Sequence, residues 1–123
     1  MTDDLTEAAF LPLVGNNLAA RFGPDAVYRQ PQGDHEWALP SGDVPDLIAV
    51  GPLGLFVVEV ENTTDSLKEA VGQARMYSRE YARTHAEHAF PVIALPTTVA
   101  NSEALRDARD EVRVLLIDPD PQG

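Results

Sequence analysis

The chain has 123 residues, 44% of them hydrophobic and 24% charged, with a formal net charge of −11 and no cysteine. Such a length builds one core and little more, the composition is too apolar for disorder, and the missing thiols exclude disulfides and thiolate metal sites. No apolar run approaches the roughly 18 residues of a membrane span, and the acidic start Met1-Thr2-Asp3-Asp4 does not read as a signal peptide. A cytoplasmic protein without membrane contact is expected, one domain over 1–123 with its core at about 5–117 and a frayed tail at 118–123.

Leu5 to Phe22 reads as a first helix, because Leu5, Ala8, Ala9, Leu13, Leu18 and Phe22 mark an apolar side and Gly23-Pro24 stops it. Pro12 and Gly15 interrupt its middle. Weak strands follow near Ala26–Gln30 and Glu36–Leu39, separated by the polar loop Gln32-Gly33-Asp34. The strongest signal comes next. Asp46 to Val50 and Leu55 to Glu61 are β-branched, near-continuous apolar runs around the turn Gly51-Pro52-Leu53-Gly54, which predicts a hairpin.

A turn centred on Pro52 and Leu53 sets Val50 opposite Leu55, Ile48 opposite Val57 and Asp46 opposite Glu59. A loop one residue longer shifts the pairing and separates the two acids. In the first register, side-chain alternation puts Asp46, Ile48, Val50, Leu55, Val57, Glu59 and Glu61 on one face. Three carboxylates then converge at one end of a buried hairpin, where like charges destabilise the ladder unless something compensates them. A divalent cation is one compensator; the alternative is that these are ordinary surface acids at strand ends.

Beyond the hairpin, Ser66-Leu67-Lys68-Glu69 fits a capping box and opens a long helix to about His85, with Leu67, Ala70, Val71, Ala74, Tyr77 and Tyr81 as its apolar stripe. Phe90–Leu95 reads as a buried strand, Asn101–Asp110 as a short helix and Val112–Ile117 as a last strand. Antiparallel strands early and crossover helices later predict an α/β fold, a mixed sheet with helices on both faces.

Pro45-Asp46, twelve intervening residues, then Glu59-Val60-Glu61 resembles the PD-(D/E)xK phosphodiesterase superfamily. Gln73-Ala74-Arg75-Met76-Tyr77 resembles the QxxxY element of its RecB-like nucleases, and Glu7 resembles the acid such families carry in their first helix. The resemblance spans roughly residues 5–97 and implies the restriction-endonuclease-like α-β-β-β-α-β core. It also implies a nuclease that hydrolyses DNA with Mg²⁺ or Mn²⁺, the metal held by Asp46 and Glu59 with Glu7 nearby, amid waters and a backbone carbonyl. Gln73 and Tyr77 would orient the attacking water or a DNA phosphate; Tyr77 reads equally as a core residue. The family's lysine is replaced here by Glu61. A glutamate in that slot serves as base or extra metal ligand in a minority of active restriction enzymes. Lys68, the sole lysine, is either a displaced cation or a solvated one.

Arg75, Arg79 and Arg83 recur every four residues and offer either a phosphate-contacting track or a solvated face. His85, Glu87 and His88 imitate a metal spacing but fall at a helix C-terminus, where imidazoles are favoured anyway. His35 and Trp37 carry no signal of their own. The composition, acidic and nearly free of lysine, resembles that of proteins from salt-loving archaea or their viruses. Acidity opposes DNA binding in dilute salt, so a second reading stands beside the nuclease: an inactive nuclease-fold protein that mimics DNA or docks on a basic protein. Cutting both strands of a duplex would call for a homodimer.

Overall fold

A computed structural model describes residues 5–85 and 88–119 of the chain. Helix α1 spans Glu7–Phe22, its N-terminus capped by Thr6, whose hydroxyl oxygen accepts the Ala9 N–H at 3.0 Å. Pro12 does not break it, because Pro12 is exposed and the carbonyl left without a partner can turn to water. Gly15 is buried for a different reason: the Arg29 guanidinium lies so close that a Cβ at Gly15 would stand 3.0 Å from it. The helix ends at Gly23, whose φ of +99° suits glycine.

Strands β1 (Val27–Arg29), β2 (Leu47–Gly51) and β3 (Gly54–Val60) form an antiparallel meander. Val50 pairs with Leu55 and Ile48 with Val57, so the turn is the two-residue one and the shifted register is excluded. Gly54 fixes this turn. Its φ is +143°, and a Cβ there would lie 2.5 Å from the His88 carbonyl oxygen.

The strand expected at Glu36–Leu39 is absent; this stretch folds into turns closed by His35 N–H to the Gln32 carbonyl and Ala38 N–H to the His35 carbonyl. Its apolar residues serve as a plug. Leu39 is buried beside Tyr77 and Tyr81, and the Tyr81 hydroxyl donates to the Trp37 carbonyl at 2.6 Å. Helix α2 (Leu67–Thr84) follows β3, but the expected capping box does not form. The Ser66 side chain makes no cap bond, and Leu67 N–H is taken by the Thr64 carbonyl at 3.2 Å.

Strand β4 (Ala89–Pro96), helix α3 (Glu103–Ala108) and strand β5 (Arg113–Ile117) complete the sheet, in the order β1-β2-β3-β4-β5, with β3–β4 and β4–β5 parallel. The two halves therefore differ in polarity, as antiparallel strands followed by crossover helices require. On one face Phe10, Val14 and Leu18 of α1 pack against Leu47, Val58, Val60 and Val92. On the other, the whole α2 stripe is buried: Leu67, Ala70, Val71 and Ala74 over Ile93 and Leu95, and Tyr77 and Tyr81 over Ile48 and Val57. Among the described residues no helix is long and apolar enough to cross a membrane. Most of the tail, 120–123, lies outside the described residues.

Candidate active site

The end of the hairpin away from its turn is where the acids meet. Asp46 immediately precedes β2, and its carbonyl accepts the Gln30 N–H, which ties it to the end of β1. Across the ladder two backbone amides hold two carboxylates. Asp46 N–H donates to Glu59 Oε2 at 2.9 Å, and Val60 N–H donates to Asp46 Oδ2 at 2.8 Å. This reciprocal clamp fixes both side chains without any cation. Glu59, on the α2 face of β3, is only 6% exposed, so its charge is almost wholly removed from water.

Strand β3 ends at Val60, and although Glu61 N–H still bonds the Ala94 carbonyl, its carboxyl meets that of Glu7 at the start of α1 in a hydrogen bond. Two carboxyls share such a bond only if one of them carries a proton. A residue that gave no sequence signal supports this meeting: the Asn62 amide donates to the Leu5 carbonyl at 2.7 Å and latches the start of α1 to the end of β3. Glu7, Asp46, Glu59 and Glu61 thus lie within one another's electrostatic reach as one carboxylate cluster drawn from α1 and the hairpin.

The electrostatics follow. Burial, and then the Asp46 charge, push Glu59 up to about 8. Burial, then the hydrogen bond and charge of Glu7, push Glu61 to about 8 as well. Asp46 is raised by burial against the lowering effect of the Val60 N–H. Tyr77, on the facing helix, is raised by burial and then by Glu59, Asp43 and Asp46, which places its phenol within the field of the cluster. Among the described residues no lysine or arginine contributes to the shift of any of these groups.

The donor set is all oxygen, of the kind that could hold Mg²⁺ or Mn²⁺. Asp46 and Glu59 each keep a second carboxylate oxygen outside the backbone clamp. Among the described residues no three acids or imidazoles already stand in ligating positions. The second oxygens of Asp46 and Glu59, with Glu7 and Glu61 beside them, are donors of the kind a hard cation takes.

The other sequence candidates divide. Gln73 is half-buried on α2 one turn before Tyr77, whereas Tyr77 itself is a core residue packed with Leu39, Ile48 and Val57. Its core packing is thus shown, and its phenol also feels the charge of Glu59 and Asp46. Arg75 is drawn to the turn after α3, where it pairs with Glu111 at 2.7 Å. Arg75 and Arg79 line a recess with Ala89 and Pro91, which pair with Leu55 and Val57 near the start of β3, away from the carboxylates. Lys68 lines a recess with Asp107 and Glu111 of the α3 region, and it is not among the groups that shift the clustered carboxyls. The His85 ring bonds the Glu36 carbonyl and stacks on Trp37, while the His88 carbonyl accepts the Leu55 N–H at the far end of the sheet. Glu87 lies outside the described residues.

No protein-family model matches the chain, and no curated protein matches it. Among solved structures the chain is similar to the crystal structure of a repair endonuclease from Pyrococcus abyssi, with a TM-score of 0.60 and 18% sequence identity. The match covers 97% of this chain and 50% of that one. The chain thus spans half the length of that endonuclease and shares its fold: a mixed five-stranded sheet of the α/β class with helices on both faces.

Proposed function

We propose that the chain is a Mg²⁺- or Mn²⁺-dependent nuclease that hydrolyses DNA phosphodiesters at the Glu7–Asp46–Glu59–Glu61 cluster. The observation that carries this reading is the clamp between Asp46 and Glu59, which fixes two partly desolvated carboxylates side by side with no counter-charge. A structure that spends stability in this way on carboxylates alone is prepared for a cation. Asp46 and Glu59 would hold the metal, with Glu7 as a further ligand. When bound, the metal supplies a water of lowered pKa and offsets charge on the phosphate.

The chain's own residues supply the proton chemistry. Glu61, with its pKa at about 8, is matched to proton transfer near neutral pH and stands in the position of the family's lysine. In its ionised form it would take a proton from the attacking water as that water's oxygen bonds to phosphorus; the bond to the leaving sugar oxygen breaks, and that oxygen takes a proton from solvent. Gln73 and Tyr77 line the α2 side and orient the water or the phosphate. DNA is the substrate in keeping with the repair endonuclease whose fold the chain shares. Duplex cutting would proceed through a homodimer, one site for each strand.

The test is cleavage of mixed DNA substrates in molar KCl with Mg²⁺ or Mn²⁺. Metal-dependent cutting that Glu59→Ala reduces at least about 100-fold supports the reading. A second reading rests on a specific observation: the Glu61–Glu7 contact replaces the cation of the family pattern. Under it the chain is an inactive descendant that docks on a basic protein. Folded wild type that fails to cut, with cutting restored in Glu61→Lys, would select that alternative.

A further inference from the structure

Away from the carboxylates, on the α1 face of the sheet, a cleft of about 590 Å³ opens between the C-terminal half of α1 and the edge strand β5. Its volume lies in the usual range for small-ligand sites, roughly 300–1,000 Å³. Leu18, Phe56, Val58, Val92 and Leu115 form an apolar floor, and Arg21, Arg109 and Arg113 stand around it. The aromatic side of this floor is continuous, since Phe22 lies 5.3 Å from Phe56, and Phe56 lies 5.3 Å from Phe90. Arg113 lies over both strand phenylalanines, at 5.6 Å and 5.1 Å from their ring centres.

The arginines are the informative part. Twenty acidic residues face only eight arginines and one lysine in this chain, so a guanidinium has carboxylates to choose from. Even so, none of these three makes an ion pair among the described residues, and Arg21 bonds instead to the Asn17 amide oxygen. All three are exposed, from three separate segments: the end of α1, the turn after α3, and the start of β5. Gathering like charges on one rim costs energy unless an anion joins them. An apolar floor beneath them strengthens the attraction by keeping water away from one side, and planar guanidinia match carboxylate, sulfonate or phosphate oxygens in pairs.

We infer that this cleft binds a small anion with an aromatic body, the rings lying on Phe56, Val58 and Leu115 and the anionic group held by Arg21, Arg109 and Arg113. The inference is independent of the nuclease reading, because the cleft uses the opposite sheet face from Glu59.

The experiment uses anilinonaphthalene sulfonate, an aromatic sulfonate, titrated into the full chain in molar KCl and followed by amide chemical shifts in NMR. Saturable binding with the largest shifts at Val58, Val92 and Leu115 is expected. The neutral parent amine, which lacks the sulfonate, should bind at least about tenfold more weakly. Arg21→Gln combined with Arg109→Gln changes two exposed side chains, so the fold should persist with an unchanged unfolding temperature while affinity falls by a similar factor. Arg113→Gln removes the third guanidinium and should weaken binding further. Shifts centred elsewhere, equal binding of the neutral amine, or full affinity in a folded Arg21→Gln/Arg109→Gln protein would each overturn the inference.

Discussion

Without a divalent cation, this protein should lose stability as pH rises, and Glu59→Gln should abolish most of that loss. The reasoning starts from Glu59, whose carboxyl goes from an ordinary 4.5 to about 8 on folding. Because the folded form holds its proton more tightly, the stabilising contribution is complete below about pH 4.5 and is lost as pH rises through about 8. At about 1.4 kcal/mol per pH unit the ceiling for this one group is about 5 kcal/mol. The Asp46 N–H favours the ionised form and the strand end lies near water, so a loss of about 2–3 kcal/mol is expected. Glu61 is half-exposed and solvent-screened, and adds less than about 1 kcal/mol. For a chain of this size, about 4 °C of unfolding temperature corresponds to each kcal/mol, giving a fall of about 10 °C between about pH 5.5 and pH 9. The assay is thermal unfolding in molar KCl with chelator, which holds surface charge screened throughout. Glu59→Gln keeps an oxygen that can accept the Asp46 N–H but cannot ionise, so its profile should be flat and cross above wild type at high pH. Adding Mg²⁺ at about 100 times its dissociation constant should return about 2.7 kcal/mol to wild type at high pH and much less to the variant. Wild-type stability that stays level or climbs from about pH 5.5 to 9 in chelator would refute the account of Glu59.

Four further outcomes follow from the same geometry. Gly54→Ala should cost about 3 kcal/mol or more, because a Cβ would meet the His88 backbone oxygen at 2.5 Å and φ is +143°; Gly15→Ala meets only the movable Arg29 guanidinium and should cost less than about 1 kcal/mol by denaturant titration. Asn62→Ala breaks the latch to Leu5 and should lower stability by about 1 kcal/mol, while cleavage falls more than stability does because Glu7 loses its support; equal effects on both would remove Asn62 from the positioning of the cluster. With a net charge of −11, unfolding temperature should rise between about 0.1 M and 1 M KCl, as the Debye length shrinks from about 10 Å to 3 Å; a salt-independent midpoint would discard the halophilic reading of the composition. Glu61→Lys should stabilise the metal-free protein at about pH 9 by about 1–2 kcal/mol, measured by the same melts; destabilisation there would show that Glu61 is not in the repulsive cluster.

What was legible in the sequence was what local chemistry decides. The hairpin register follows from a two-residue turn bounded by Gly51 and Gly54, and once that register is set Asp46 and Glu59 must meet. The α2 stripe is likewise local, since residues three or four apart share a face wherever the helix lies. Trp37 to Leu39 misled because apolar residues can plug a core without pairing as a strand, and here Tyr81 takes the Trp37 carbonyl that a ladder would have used. Strand alternation groups Glu61 with Glu59, and the Glu59 and Asp46 charges do act on it, but the contact of Glu61 with Glu7 brings in a helix that no strand pattern contains. The Asn62 latch joins positions 57 residues apart, which no spacing rule reaches.

Under the proposed nuclease reading, Glu61 stands where the motif this chain resembles has lysine, and that changes what kind of counter-charge the cluster can have. In the family pattern the lysine is covalently part of the site, so the carboxylates are compensated in every state of the protein. In this chain every cause acting on Glu59 and Glu61, apart from the Asp46 N–H, raises their pKa. Compensation must then come from protons or from an exchangeable cation, and these compete for the same oxygens. Acidity of the surface works in the same direction. A chain carrying −11 concentrates cations around itself, and a divalent ion gains most from that field because its charge is doubled. The same carboxylates that weaken the empty fold at high pH are therefore the ones that would tie folding to metal, and the pH and Mg²⁺ dependence of stability should report a single event at Asp46 and Glu59.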